Sequence, residues 1–215
     1  MKKAICGIAL AAAAFTSAQA ASISGLVNTG VGAAGTQDAN YALTVLSGAT
    51  VLPNDHAFIS ADNVWPVGKA WLANSADSKW ITPTSNVGAW LDPVVDGVYD
   101  YRLKFDLTGF DPTTAAFTGR FAADNSVVVR LNGQEIANGH KFDSWRSFGA
   151  STGFIAGINT LDFIVTNGHQ VDDNPTGLRA EFVSSVATAV PEPTTYAMLL
   201  AGLGLITYTA RRRQA

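Results

Sequence analysis

The sequence predicts an all-β protein: an antiparallel two-sheet sandwich of jelly-roll type, preceded by a signal peptide and followed by a transmembrane helix. Three observations lead there. Apolar and polar residues alternate with a period of two along most of the middle of the chain, and no window there keeps a 3.6-residue period. Single glycines and prolines break that pattern into many short runs, the punctuation of turns between strands. The ends differ in composition from the middle. Lys2, Lys3, Arg211, Arg212 and Arg213 are five of the fourteen basic residues, while Glu192 is the one acid of seventeen outside 21–190. The middle therefore keeps nine basic against sixteen acidic residues, a formal charge of −7 where the whole chain has −3. The expected organisation is 1–20 signal peptide, 21–185 sandwich, 186–195 linker with sorting motif, 196–210 transmembrane helix and 211–215 basic cytoplasmic tail.

At the N-terminus, Lys2 and Lys3 precede an apolar run over 4–15. Ala18 and Ala20 then offer small side chains at the −3 and −1 positions that signal peptidase requires, so cleavage is expected after Ala20. Cys6, the single cysteine, leaves with this segment, and the mature chain has neither a disulfide nor a thiolate ligand.

Short strands are expected at 22–27, 41–46, 57–60 and 80–82. The clearest strand follows. Tyr99, Tyr101, Leu103, Phe105 and Leu107 alternate with Asp100, Arg102, Lys104, Asp106 and Thr108, one apolar face against one charged face. A further strand is expected at 116–122. Val127, Val129 and Leu131 begin the next, and Asn132-Gly133 supplies the positive-φ pair of a tight hairpin before 134–137 returns. After a short candidate at 152–156, Leu161, Phe163 and Val165 form one face, and Leu178, Ala180 and Phe182 another. The Ala-, Ser- and Thr-rich stretch 184–189 reads as a tether.

Pro191, Glu192 and Pro193 precede an uncharged stretch over 196–210, then Arg211, Arg212 and Arg213. Fifteen residues make about 22 Å of helix, short of a ~30 Å hydrocarbon core, so the segment suits a transient stop better than a permanent anchor. The arginines belong on the cytoplasmic side, which leaves the Pro-Glu-Pro unit outside the inner membrane. Both prolines fix φ and lack an amide hydrogen, so that unit presents extended, protease-accessible backbone. In its three parts, their order and their spacing, this tail resembles the PEP-CTERM sorting signal of Gram-negative bacteria. The resemblance implies processing by an exosortase, a membrane-embedded cysteine transpeptidase, and delivery to the cell surface or exopolysaccharide matrix. A simple C-terminal anchor with a fortuitous Pro-Glu-Pro is the alternative.

A second resemblance lies in the middle. Residues 105–110, 119–125, 129–133, 159–163 and 176–181, with Trp71-Leu72-Ala73-Asn74-Ser75 and Lys79-Trp80-Ile81, are similar to the core strands of galactose-binding-like sandwich modules of secreted bacteria proteins. The match spans 40–183 and mostly encodes turns and core faces, so it bears on fold more than on activity. It implies that a structural Ca²⁺ is plausible.

Candidate chemistry is sparse. The acidic balance argues against nucleic acid, which needs clustered Lys and Arg. Catalytic signatures are missing: only His56, His140 and His169 are present, and neither a Gly-x-Ser-x-Gly nor a His-Glu-x-x-His motif occurs. A glycosidase would have to draw on paired aspartates, and no spacing singles out such a pair. Trp65, Trp71, Trp80 and Trp90 fall within 26 residues, interleaved with Asp62, Asn63, Asn74, Asp77, Asn86 and Asp92. Indole faces stack on pyranose rings while carboxylates and amides engage hydroxyls, which makes the cluster a carbohydrate-site candidate. The same indoles, and Trp145 with them, equally suit the sandwich core; only an exposed cluster counts for a site. Fourteen of the sixteen acids in the middle are aspartate, as turn-rich chains require. Asp172 and Asp173, beside His169, Gln170 and Asn174, could offer oxygen ligands to Ca²⁺, with a solvated turn before Pro175 as the alternative.

The reading that follows is an exported, non-catalytic surface or matrix protein that binds carbohydrate or associates with exopolysaccharide. Its expected partners are signal peptidase and exosortase, and its precursor spans the inner membrane once. A structural or adhesive protein acting through protein contacts is the second reading, and a glycan-active hydrolase the third.

Overall fold

The computed structural model describes residues 19–48, 52–191 and 193–213. Ala18, with most of the expected signal peptide, and Glu192 of the Pro-Glu-Pro unit lie outside the described residues. The elements are β1 (Ala20–Ala21), β2 (Gln37–Ser47), β3 (His56–Ile59), β4 (Ile81–Thr82), β5 (Gly97–Asp106), β6 (Phe110–Leu131), β7 (Gln134–Ala150), β8 (Ile158–Asn167), β9 (Gly177–Ala189) and α1 (Pro193–Arg212). Ala20–Val190 forms one compact unit, and the C-terminal residues from Pro191 belong to another.

The strands pair antiparallel in the order β1-β9-β4-β3-β2-β5-β8-β6-β7, with a further pairing of β9 with β6. That last pairing turns the ladder back on itself, so the sandwich is closed in barrel-like fashion through β6. The long strand β6 makes the corner. Its first part pairs with β9 as far as Asp124 opposite Gly177, and its last part pairs with β8 from Ser126 opposite Thr166. The Asp124–Asn125 peptide between these registers is cis. From Phe117 to Leu131, β7 lies along the other side of β6.

The alternation expected from the sequence positions the core. Strand β5 pairs with β8 over ten consecutive positions, from Gly97 opposite Asn167 to Asp106 opposite Ile158. Tyr99, Tyr101, Leu103 and Phe105 face inward with Leu161, Phe163 and Val165, and Phe117, Phe121 and Phe148 meet them from β6 and β7. Ring pairs such as Phe148–Phe163, edge to face at 5.5 Å, lock the two layers together. Asn132 and Gly133 take φ of 50° and 83°, the two left-handed residues that the β6–β7 hairpin needs.

Several expectations differ from the structure, among them the two strands expected at 116–122 and from Val127, which are one strand, β6. The tether over 184–189 is strand: β9 continues to Ala189 because Val186 and Ser185 pair with Ala116 and Phe117, and Ala187 with Ala21. The expected strand 22–27 does not form. That stretch instead runs beside β9, with Ile23 N donating to Ser185 Oγ and Phe182 N to Asn28 Oδ1, so side chains replace a regular ladder. The expected strand 152–156 is a loop, held by the Asn159 side chain bonding to Ile155 N and O. Strand β7 extends far beyond the expected 134–137 because it pairs with β6 from Leu131 opposite Gln134 to Phe117 opposite Ala150, a length that its lack of apolar alternation does not announce.

At the C-terminus the expected span 196–210 lies within α1. Among the described residues no helix is long and apolar enough to cross a membrane. Within α1, Gly202, Gly204, Thr207 and Thr209 dilute the apolar run, and Arg211 and Arg212 already occupy its last turn.

Candidate functional site

The tryptophan-rich segment between β3 and β5 folds over the outer face of the β6–β9 sheet and divides its indoles into two groups. Trp71 and Trp80 are buried and stack with ring centroids 4.4 Å apart, forming a second apolar cluster with Val67, Val87 and Ala122. Trp80 Nε1 donates to Leu72 O at 2.8 Å. These two candidates pin the long loop to the sheet; Trp80 is sealed from solvent, and Trp71, 3% exposed, reaches the wall of a cleft that Trp65 opens. Trp145 on β7 is partly buried over the guanidinium groups of Arg120 and Arg179, at 4.5 and 4.7 Å from its ring centroid, so intramolecular cations occupy it. Beneath it, Arg120 and Arg179 converge on buried Glu181. Burial would raise the Glu181 carboxyl, but hydrogen bonds from Ser78 and Arg120 and the two guanidinium charges outweigh it and hold it below the ordinary range.

Trp65 and Trp90 are the exposed pair, at 52% and 54%. Trp65 opens a cleft of about 180 Å³ whose apolar walls are Trp65, Trp71 and Phe142. Its polar lining is Asp124, Asn125, Gln170, Asp173 and Asn174. Trp90 joins the rim indirectly, its Nε1 donating to Gln170 O at 3.0 Å. The sheet corner builds this place. Asp124 and Asn125 sit where β6 exchanges β9 for β8, and the loop 168–176 comes alongside. That loop is held by Gly168 N donating to Asn125 Oδ1 at 2.7 Å and by Asn174 Nδ2 donating to Leu91 O at 2.7 Å and Gly168 O at 3.0 Å. Thr176 Oγ1 closes it by donating to Asp124 O.

Asp124 is the least settled group in the cleft. It is 7% exposed; Oδ2 accepts from Trp71 Nε1 at 2.8 Å, and Oδ1 has no hydrogen-bond partner among the described residues. Burial raises its carboxyl to about 6, a rise that the Trp71 hydrogen bond only partly opposes.

Asp172 and Asp173 are exposed, and Asp173 alone of the two lines the cleft. The main-chain oxygens of Asp172 and Asp173 already accept from Gln170 Nε2, and the Asn174 amide is held by Leu91 and Gly168. No group of three or more His, Cys, Asp or Glu side chains comes together for a metal among the described residues.

Sequence reasoning brought Trp65, Trp90 and Asp173 to this region and missed Asp124, Asn125 and Phe142. The available signal was Asp124-Asn125 itself, two polar residues interrupting a strand that is apolar on both sides. A larger groove of about 590 Å³, between the stretch 22–31 and β9, includes Ile23, Leu26, Val31 and Phe182 and contains no tryptophan.

Residues 189–214 match the PEP-CTERM protein-sorting motif. This motif indicates export and a surface-associated destination in a Gram-negative cell, and implies exosortase processing. No curated protein matches the chain. Among solved structures, the chain is similar to a PA14 sugar-binding domain from an RTX adhesin, at 13% identity and a TM-score of 0.28, over 46% of this chain and 58% of that one. The chain thus spans less than two thirds of that domain's length. It is also similar to a family 29 carbohydrate-binding module complexed with cellulohexaose, at 14% identity and a TM-score of 0.32, over 70% and 93% of the two chains. A family 35 carbohydrate-binding module from an environmental isolate stands at 10% identity and 0.29, over 72% and 97%.

Proposed function

We propose that this is an exported, non-catalytic surface or matrix protein whose sandwich binds carbohydrate in the cleft beneath Trp65. The observation that supports this reading is the cleft itself: an exposed indole and a phenyl wall beside a carboxylate and several amides. Such a pairing of an apolar platform with a few polar groups suits a sugar ring. At about 180 Å³ the cleft is smaller than the ~300–1,000 Å³ typical of drug-sized ligands, so it receives one ring of a polymer and binds weakly. Weak single sites suit a matrix protein, where many copies meet one polysaccharide.

In this reading signal peptidase cuts after Ala20, the tail engages the inner membrane only until exosortase acts near Pro191 and Pro193, and the product associates with exopolysaccharide. Two measurements test it. Intact mass of the surface-associated protein should show loss of 1–20 and of 196–215; an uncut tail on surface material defeats the processing part. Affinity electrophoresis of that protein through gels containing soluble polysaccharides should show retardation that Trp65→Ala abolishes. Equal mobility in every gel, the organism's own exopolysaccharide included, defeats the binding part.

A further inference from the structure

The cleft beneath Trp65 carries an uncompensated negative charge. Three buried carboxylates on the strands meet a guanidinium: Arg102 Nε lies 2.5 Å from Asp162 and its Nη2 3.3 Å from Asp100, while Arg120 Nε donates to Glu181 at 2.7 Å. Asp124 receives only the neutral Trp71 indole, and its Oδ1 receives nothing among the described residues. No Lys, Arg or His lines the cleft among the described residues, and Asp173 adds a second carboxylate. Burial raises the Asp124 carboxyl to about 6, which still leaves it ionised near neutral pH.

We infer that the cleft recognises an amino sugar, a pyranose bearing a protonated amine, with the ammonium beside Asp124 and the ring against Trp65 and Phe142. The inference rests on the carbohydrate reading and narrows it. A cation entering this cleft meets a partly buried carboxylate with no competing positive charge, the setting in which a charge-assisted contact is strongest. The aromatic walls favour the same sign of charge through their ring faces. A uronic acid meets two carboxylates and no cation, so it is repelled. An N-acetylated sugar keeps the ring contact and loses the charge.

The test measures binding of the processed protein, near neutral pH, to oligomers of glucosamine, of N-acetylglucosamine and of glucose, and to polygalacturonate. Glucosamine oligomers should bind about tenfold more tightly than the N-acetylated series, with polygalacturonate the weakest. Asp124→Asn keeps an acceptor oxygen for Trp71, and should erase that preference, bringing glucosamine oligomers down to the affinity of the N-acetylated series. Equal affinity for the glucosamine and N-acetylated series, or binding of polygalacturonate as tight as either, overturns the inference. So does competition by poly-lysine as effective as that by glucosamine oligomers, which would mark a site for any amine. The ranking of oligomers on the unaltered protein is decisive even if Asp124→Asn does not fold. The two readings fail differently: if glucosamine, N-acetylglucosamine and glucose oligomers all bind equally through Trp65 only the amino-sugar inference falls, whereas if nothing binds the carbohydrate reading falls with it.

Discussion

The Trp71 indole donates to Asp124 Oδ2 at 2.8 Å across 53 positions of sequence, tying the long tryptophan-bearing loop to the corner of the sheet. The contact satisfies one carboxylate oxygen of a group whose value stands at about 6, above its ordinary 3.8. A carboxyl raised in this way stabilises the fold while protonated. Its contribution is complete below about pH 4 and disappears as pH rises through 6, a change on the order of 2–3 kcal/mol at about 1.4 kcal/mol per unit. Asp124→Asn removes that titration. The variant should therefore gain about 1–3 kcal/mol on wild type between pH 4 and pH 7, read from urea denaturation at both values. An unchanged difference between the two proteins across that range contradicts the account.

The indoles separate by burial, and so should their substitutions. Trp80→Ala removes a fully buried ring from the cluster under the loop and should cost about 3–5 kcal/mol. Trp65→Ala removes a half-exposed ring and should change stability by no more than about 0.5 kcal/mol while lowering retardation by polysaccharide. Denaturant midpoints and affinity gels on the two variants distinguish the roles. A Trp65→Ala protein as unstable as Trp80→Ala would make Trp65 a packing group.

The inward-facing half of this fold was legible because period-two alternation reports burial directly: Tyr99 to Phe105 and Leu161 to Val165 face the core as their spacing demands. The Asn132-Gly133 turn was equally legible, since few residues tolerate positive φ. What the pattern could not carry was anything held by side chains or by the outer face. Strand β7 is exposed or half-buried at every position but Phe148, so no apolar alternation distinguishes it from a loop. Trp71, Trp80, Trp65 and Trp90 occupy one segment and carry the same chemistry; only the sheet beneath decides which are covered. Asp124 shows nothing of its role locally because that role depends on Trp71 and on Thr176, 53 and 52 positions away.

Gly119 marks a place where two chains of the sheet come too close for any side chain. It pairs with Phe148 on one side and Phe182 on the other, and a Cβ there would lie 2.5 Å from Phe148 Cε1 and 2.6 Å from Glu181 O. The ring could turn aside, but the carbonyl belongs to the β9 backbone and cannot. Gly119→Ala should cost about 1–3 kcal/mol by overpacking, measured as a lowered denaturant midpoint. A neutral result would mean that β6 and β9 separate more easily than their register implies.

Glu181 and Arg179 set the last expectation. Both are buried on β9, with Arg179 Nη2 3.2 Å from Glu181 Oε1, Nε donating to Ser78 Oγ at 2.6 Å and Nη1 to Ala73 O. Burial lowers the Arg179 guanidinium below its ordinary value, against the pull of Glu181, so desolvation is a real cost of this pair. Deleting one partner leaves the other charge buried. Glu181→Gln strands Arg120 and Arg179 beneath Trp145 and should cost about 3–5 kcal/mol at pH 7. The wild-type carboxyl is held below its ordinary 4.5. A lowered group contributes stability above its unfolded value and loses it as pH falls through the folded one. Wild type should therefore lose its advantage over Glu181→Gln as pH drops below about 4, and denaturation midpoints at pH 7 and pH 3 read this directly. Replacing both partners together, as Arg179→Met with Glu181→Gln, should cost less than the sum of the two single changes, because the double leaves neither Arg179 nor Glu181 buried without the other. Additive costs in that cycle would mean that the two side chains contribute independently.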